Sequence, residues 1–168
     1  MEVWDLFNRL GEFQGRSIQR GESIPDGLYH RIIHVWIFNE KSEFLIQQRA
    51  AHLLWFPSRW ATTTGSVVSG ENDMKLAAYR EVWEELGFSD AHLDLEWEKE
   101  LIIGHSLVTI YKAFLPSHRI QQVKTNEEVA DIKWMKKSKI EELRSNQLFA
   151  EYNDETFKTV YSILENLT

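Results

Sequence analysis

The sequence contains no cysteine, which removes disulfides, thiolate metal sites and a cysteine nucleophile from consideration. Ordinary reduced cytosol is the compartment this suggests, so a cytoplasmic protein is expected. Cationic residues are also in deficit: 19 Lys and Arg stand against 26 Asp and Glu, a formal charge of −7. Nucleic-acid polymers and anionic membranes attract basic surfaces, so neither is an expected partner. An acidic chain that handles phosphates needs bound cations. Long hydrophobic runs are missing too, since no stretch approaches the ~20 apolar residues of a membrane span. The opening MEVWDLFNRLGEF is acidic and aromatic, where a signal peptide is basic and then aliphatic. Three prolines and eight glycines are spread over 168 residues, with no repeat, low-complexity tract or Pro/Gly/Ser linker to mark an internal boundary. One domain over residues 1–168 is the expected organisation.

Apolar residues are plentiful: 43% of the chain is hydrophobic, with seven Trp and nine Phe. That can fill a sizeable core and leaves room for an apolar homodimer interface. Residues 1–29 carry turn signals at Arg9-Leu10-Gly11, Gln14-Gly15, Arg20-Gly21 and Pro25-Asp26-Gly27, which predict an N-terminal strand pair or hairpin. HRIIHVWIFN from His30 reads as a buried strand, and EFLIQQR after the NEKS turn reads as its hairpin partner. Leu93 to Ile103, Leu107 to Leu115 and Val129 to Met135 are further β-leaning runs. Ser138, with Glu141 three residues on, forms a capping box ahead of a short helix. Within residues 146–168, Asp154 is placed to cap a helix whose Phe157, Val160, Tyr161, Leu164 and Leu167 recur at helical spacing. Strands on both sides of a central helix, with three helices in all, fit an α/β (α+β) fold in which helices cover both faces of a mixed sheet.

The chemically informative stretch is TTTGSVVSGENDMKLAAYREVWEELGF, Thr62 to Phe88. A small-residue loop with Gly65 and Gly70 leads to a helix that Asn72 or Asp73 can cap, and Gly87 sits where a left-handed C-terminal cap belongs. At about 100° per residue, Ala78, Val82, Leu86, Tyr79 and Trp83 form one apolar arc, and Glu81, Glu84 and Glu85 share an adjoining arc about 100° wide. Like charges so placed repel, and acids in the last turn oppose the helix dipole. A solvated helix face is the plain reading of such acids. A hard cation held by several carboxylates would convert the repulsion into affinity, and Mg²⁺ or Mn²⁺ suits oxygen ligands best.

These residues resemble the signature of the Nudix hydrolases: Gly65, SVVSG, Glu71, NDMKLAAY, Arg80-Glu81, Val82, Trp83, Glu84-Glu85, Leu86, Gly87, Phe88. Two departures stand out. Eight residues instead of seven separate Glu71 from Arg80, and Phe88 occupies an aliphatic position. The resemblance covers residues 30–145, and the N-terminal segment is similar to proteins allied to isopentenyl-diphosphate isomerase. It implies a Nudix-like α/β/α sandwich and metal-dependent cleavage of a diphosphate bond in a nucleoside diphosphate-linked or related organic diphosphate. Glu84 and Glu85 are then the principal metal ligands, with Glu81 a further ligand or the base that activates water. Gly65 becomes a candidate to offer a backbone carbonyl to the metal, because a residue without a side chain allows close approach.

By the same resemblance Arg80 orients the loop through Glu71, provided the inserted residue is absorbed locally. Glu128, and less so Glu127, could complete the site from the strand that follows. Arg49, Arg59, Trp55, Trp60 and Tyr111 are candidate substrate contacts, since cations pair with phosphate and aromatic faces stack on bases. The six histidines show no spacing that reads as a site and are expected to be structural or exposed. Two alternatives accompany the hydrolase: an isomerase, whose usual catalytic cysteine this chain lacks, and a nucleotide-sensing module without turnover.

Overall fold

The run from His30 to Phe38 alternates so that Ile33, Val35 and Ile37 point to one side while Trp36 points to the other, and every one of these is buried. A strand buried on both faces must lie in the middle of a layered fold. The computed structural model, which describes residues 1–167, shows that arrangement. The elements are β1 (Val3–Phe7), β2 (Phe13–Gln19), β3 (His30–Phe38), β4 (Phe44–Arg49), β5 (Trp60–Ala61), β6 (Thr63–Ser66), α1 (Met74–Leu86), β7 (Glu96–Ile103), β8 (Ser106–Phe114), a 3₁₀ turn (Ser117–Gln122), β9 (Val129–Met135), α2 (Lys137–Ser145) and α3 (Asp154–Glu165).

Seven strands form one mixed sheet in the order β5-β4-β3-β8-β7, with β6 also on β3 and β9 also on β4. Strand β3 runs parallel to β8 along its whole length, from His30 opposite Ser106 to Phe38 opposite Phe114. The expected hairpin of β3 and β4 is paired only at its turn, Phe38 opposite Phe44. Beyond that point the strands diverge: β6 takes the vacated edge of β3 from Ile32 to Val35, and β9 zips along β4. This split opens the sheet where the cavity described below lies.

Helix α1 packs with Ile33, Val35, Ile37 and Leu45 on one face, and α2 and α3 pack with Trp36, Phe44, Ile46 and Ile110 on the other. The result is an α/β/α sandwich. Ring contacts of Trp36 with Phe44 and Phe157, at 5.0 and 6.2 Å, tie α3 to the sheet in edge-on geometry.

Asp73 caps α1 by accepting from the amides of Lys75 and Leu76, and Gly87 closes it in the left-handed region at φ 72°. Ser138 does not cap α2, because the helix begins one residue earlier, at Lys137, without a side-chain cap. Asn153, not Asp154, caps α3 through the amide of Thr156, and Leu167 lies beyond its end, largely exposed. Leu93 and Leu95 are buried but precede β7.

The N-terminal strands pair as a two-stranded sheet. Asp5 anchors it to the loop before α1: one carboxylate oxygen accepts from Ser17 and Ser69, both at 2.6 Å, and the other from the Gly70 amide at 3.2 Å. The Ser69 amide also donates to the Val3 carbonyl. These bonds hold the hairpin in register with the segment that carries the glycine and glutamate of the motif.

Candidate functional site

Helix α1 buries Ala78, Val82 and Leu86 of the apolar arc read from its sequence, with Tyr79 partly buried against the same core. Ala77, Glu81 and Glu85 are buried as well, so the buried face extends toward the glutamates and Trp83 is left 60% exposed. The reason lies at β6. A Cβ on Gly65 would collide with the carboxyl group of Glu81, so the bare glycine lets this acid nest against the strand.

Arg80 ties the loop to the helix. Its Nε donates to Glu71 at 2.7 Å and one Nη donates to the other Glu71 oxygen at 3.1 Å, with a further bond to the Ser66 carbonyl. The second Nη donates to Glu81 at 2.6 Å and approaches Glu84 at 3.4 Å. The extra residue between Glu71 and Arg80 is therefore absorbed before the helix, and the ion pair forms. Such a fork is stronger and more directional than an ammonium contact. Burial opposes the charge on both Glu71 and Arg80, but their mutual bonding wins, lowering the acid's pKa and raising the base's.

The other acids are less well served. Burial raises Glu81 to about 7, against the pull of Arg80 and with the charge of Glu84 adding to the rise. Glu85 is fully enclosed and pushed well above the usual carboxylate range, first by burial and then by the charge of Glu81; the Gln47 amide, donating at 2.8 Å, only partly offsets this. Acidic charge thus exceeds the local cationic supply.

These groups line one cavity of about 520 Å³, within the range of small-molecule sites. Gly65, Arg80, Glu81, Glu84, Glu85 and Glu128 line it, and so do Arg49 and Trp55. Glu127 does not. Three proposed substrate contacts are not among its lining residues. Tyr111 is buried on the α1 face of the sheet, in a different core cluster from the cavity floor. Trp60 packs at the edge of the α3-side core beneath Lys133, and Arg59 is paired at 3.0 Å with Glu151, which does line the cavity.

Unforeseen members come from distant parts of the chain: Glu2, Trp4 and Arg20 of the hairpin, His30 and His34 of β3, and Tyr152. His30 and His34, four residues apart on a strand, share a face by the two-residue pleat; that spacing was the available signal. Glu2, Trp4 and Arg20 carry no local signal at all.

Among the described residues, no three acidic or histidine side chains are already gathered as a metal cage. The donor set nevertheless suits a hard divalent cation: Glu85 is an enclosed carboxylate with one neutral donor, Glu81 and Glu84 adjoin it, and all are oxygen ligands. A cation there would offset the burial that now raises Glu81 and Glu85.

The molecule is thus an α/β/α sandwich with a cavity lined by the glutamates of one helix and by Gly65 of β6. The sequence profile of the NUDIX domain matches residues 28–156. The chain belongs to the Nudix hydrolase family and is a Nudix pyrophosphohydrolase. An uncharacterised Nudix hydrolase of Listeria monocytogenes, lmo0368, is 36% identical over 156 residues, covering 90% of each chain. The crystal structure of DR0079 from Deinococcus radiodurans shares the fold over 99% of both chains, with a TM-score of 0.77 at 17% identity. Isopentenyl-diphosphate delta-isomerase of Schizosaccharomyces pombe is 36% identical over 84 residues, covering 43% of this chain and 37% of that protein. Among the described residues, no helix is long and apolar enough to cross a membrane.

Proposed function

We propose that this protein hydrolyses a diphosphate bond in a nucleoside diphosphate-linked or related organic diphosphate, using Mg²⁺ or Mn²⁺. The observation that carries this reading is the excess of enclosed carboxylate at Glu81 and Glu85, with Glu84 and Glu128 on the same cavity and Arg80 already committed to Glu71. Glu84 and Glu85 would hold the cation, with the Gly65 backbone and Glu128 as further oxygen donors. When bound, the metal withdraws charge from phosphorus and lowers the pKa of water near it. Glu81, pinned by Arg80, serves as a further ligand or as the base that takes the proton from water. Arg49, which lines the same cavity, can pair with a phosphoryl oxygen.

The partial likeness to isopentenyl-diphosphate isomerase favours a second reading, isomerisation. The absence of any cysteine removes that reaction's usual proton-transfer group. Mg²⁺-dependent cleavage of nucleoside diphosphates, sugar nucleotides, dinucleoside polyphosphates and prenyl diphosphates, read by separating the phosphate-bearing products, tests the reading. Activity should be lost in Glu84→Gln/Glu85→Gln. Full activity in that double variant would refute the site, and no cleavage of any of these compounds would refute the hydrolase.

A further inference from the structure

Part of the cavity lining is supplied by the N-terminal hairpin and its flanks, which precede the NUDIX match at residues 28–156. Three side chains from this segment line the space. Trp4 stacks on His30, ring centroids 4.2 Å apart, and its indole N–H donates to one oxygen of Glu2 at 2.8 Å. Arg20 donates to the other Glu2 oxygen at 3.0 Å and lies over the Trp55 ring, 5.2 Å from its centre. Trp55 stands on the loop between β4 and β5, its carbonyl held by Arg49 Nε at 2.8 Å. A planar cation on an aromatic face, beside a carboxylate, thus forms a shelf in the cavity lining. The anchor at Asp5 fixes the hairpin relative to the loop holding Glu71.

We propose that this shelf is the subsite for the organic moiety of the substrate, and that it selects a nucleobase over a prenyl chain. This rests on the hydrolase reading above and narrows it. Aromatic faces accept any planar ring, so Trp55 and Arg20 supply stacking. Only one of the five N–H groups of Arg20 is used by Glu2, so the others can donate to ring nitrogens or carbonyls, while Glu2 accepts from an exocyclic amine. A prenyl chain would bury the Glu2–Arg20 pair and return no polar partner, which leaves its desolvation uncompensated. The recognition is a property of residues 2, 20 and 55, none of which belongs to the glutamate motif.

Equilibrium titration in Ca²⁺ with ADP, CDP, GDP and UDP, and with dimethylallyl diphosphate as the probe without a base, tests the assignment. The wild type should bind at least one nucleoside diphosphate more tightly than dimethylallyl diphosphate. Arg20→Ala and Trp55→Ala should each weaken that nucleotide about tenfold or more, while changing dimethylallyl diphosphate less than twofold. Trp55→Phe should restore most of the loss and Arg20→Lys little of it, and Arg16→Ala, on the outer part of β2, should leave binding unchanged. Equal losses for both probes, no loss for either, or a wild type that prefers the prenyl compound would overturn the proposal. Hydrolysis in Mg²⁺ is read separately: base-selective binding without turnover refutes the hydrolase and keeps the subsite, and turnover with base-blind binding does the reverse.

Discussion

His34 offers a test of the cavity floor that needs no substrate. Its side chain is buried, its Nδ1 has no hydrogen-bond partner among the described residues, and its ring leans on Tyr152 at 4.4 Å. Burial alone lowers its pKa from 6.5 to about 3, with no carboxylate offsetting it. A histidine that stays neutral when folded but takes a proton when unfolded favours unfolding as pH falls below 6.5. The loss grows until the folded pKa is reached. Between pH 7 and pH 5 the unfolded chain gains about 2 kcal/mol from this one protonation, while the folded state gains almost nothing. Glu81 and Glu85, whose pKa values are raised, respond in the opposite sense, favouring the folded state as pH falls. Comparison with His34→Gln cancels them. Urea unfolding of both proteins at constant ionic strength should show the wild type losing about 2 kcal/mol more than the variant over that range. Parallel pH profiles, differing by less than about 0.5 kcal/mol, would show that the imidazole is solvated or partnered and that the cavity floor is misdescribed.

Gly65→Ala should destabilise by about 1–3 kcal/mol, because the added methyl meets the Glu81 carboxyl in a packed site. It should also lower kcat/KM by about 100-fold through displacement of Glu81. Gly65 is not in the left-handed region, so the stability loss should vanish to within about 0.5 kcal/mol when Gly65→Ala is added to Glu81→Ala; a loss that persists in that background would show that the clash lies elsewhere. Arg80→Lys keeps the charge but not the fork that reaches Glu71, Ser66 and Glu81 at once. Its kcat/KM should fall about 10–100-fold while the urea midpoint moves by less than about 1 kcal/mol equivalent, since the side chain is one-third exposed. Unaltered turnover in Arg80→Lys would remove the fork from the mechanism.

Local chemistry wrote the parts of this fold that were legible. Asp73 and Gly87 bracket α1 because a cap needs only a short acceptor and a left-handed residue at the right offset. The run Val129 to Met135 is a strand as read. The Ser138 capping box failed because such a motif is permissive: α2 starts from Lys137 behind Lys136, whose carbonyl accepts from Lys139 and Ile140, with no side-chain cap. Tyr111 lies off the cavity because stacking capacity belongs to a residue type, whereas the face it occupies depends on pairing with Val35 of β3, which turns it toward α1.

The acids of α1 could be named from spacing alone, since a helix of fixed pitch brings residues three and four apart together in any context. Their burial could not: the extension of the buried face of α1 toward Glu81 and Glu85 follows from the bare Gly65 on a strand that reaches the helix only through the β3–β6 pairing. The sequence by itself determined the strand and helix periods, the caps, the Nudix motif and its set of carboxylates, all consequences of interactions within a few residues. Only the tertiary structure decided that Glu2, Trp4, Arg20, His34 and Trp55 would share a cavity with those carboxylates. Contacts across such separations are set by which sheet edges pair and how they diverge, and no local pattern encodes that.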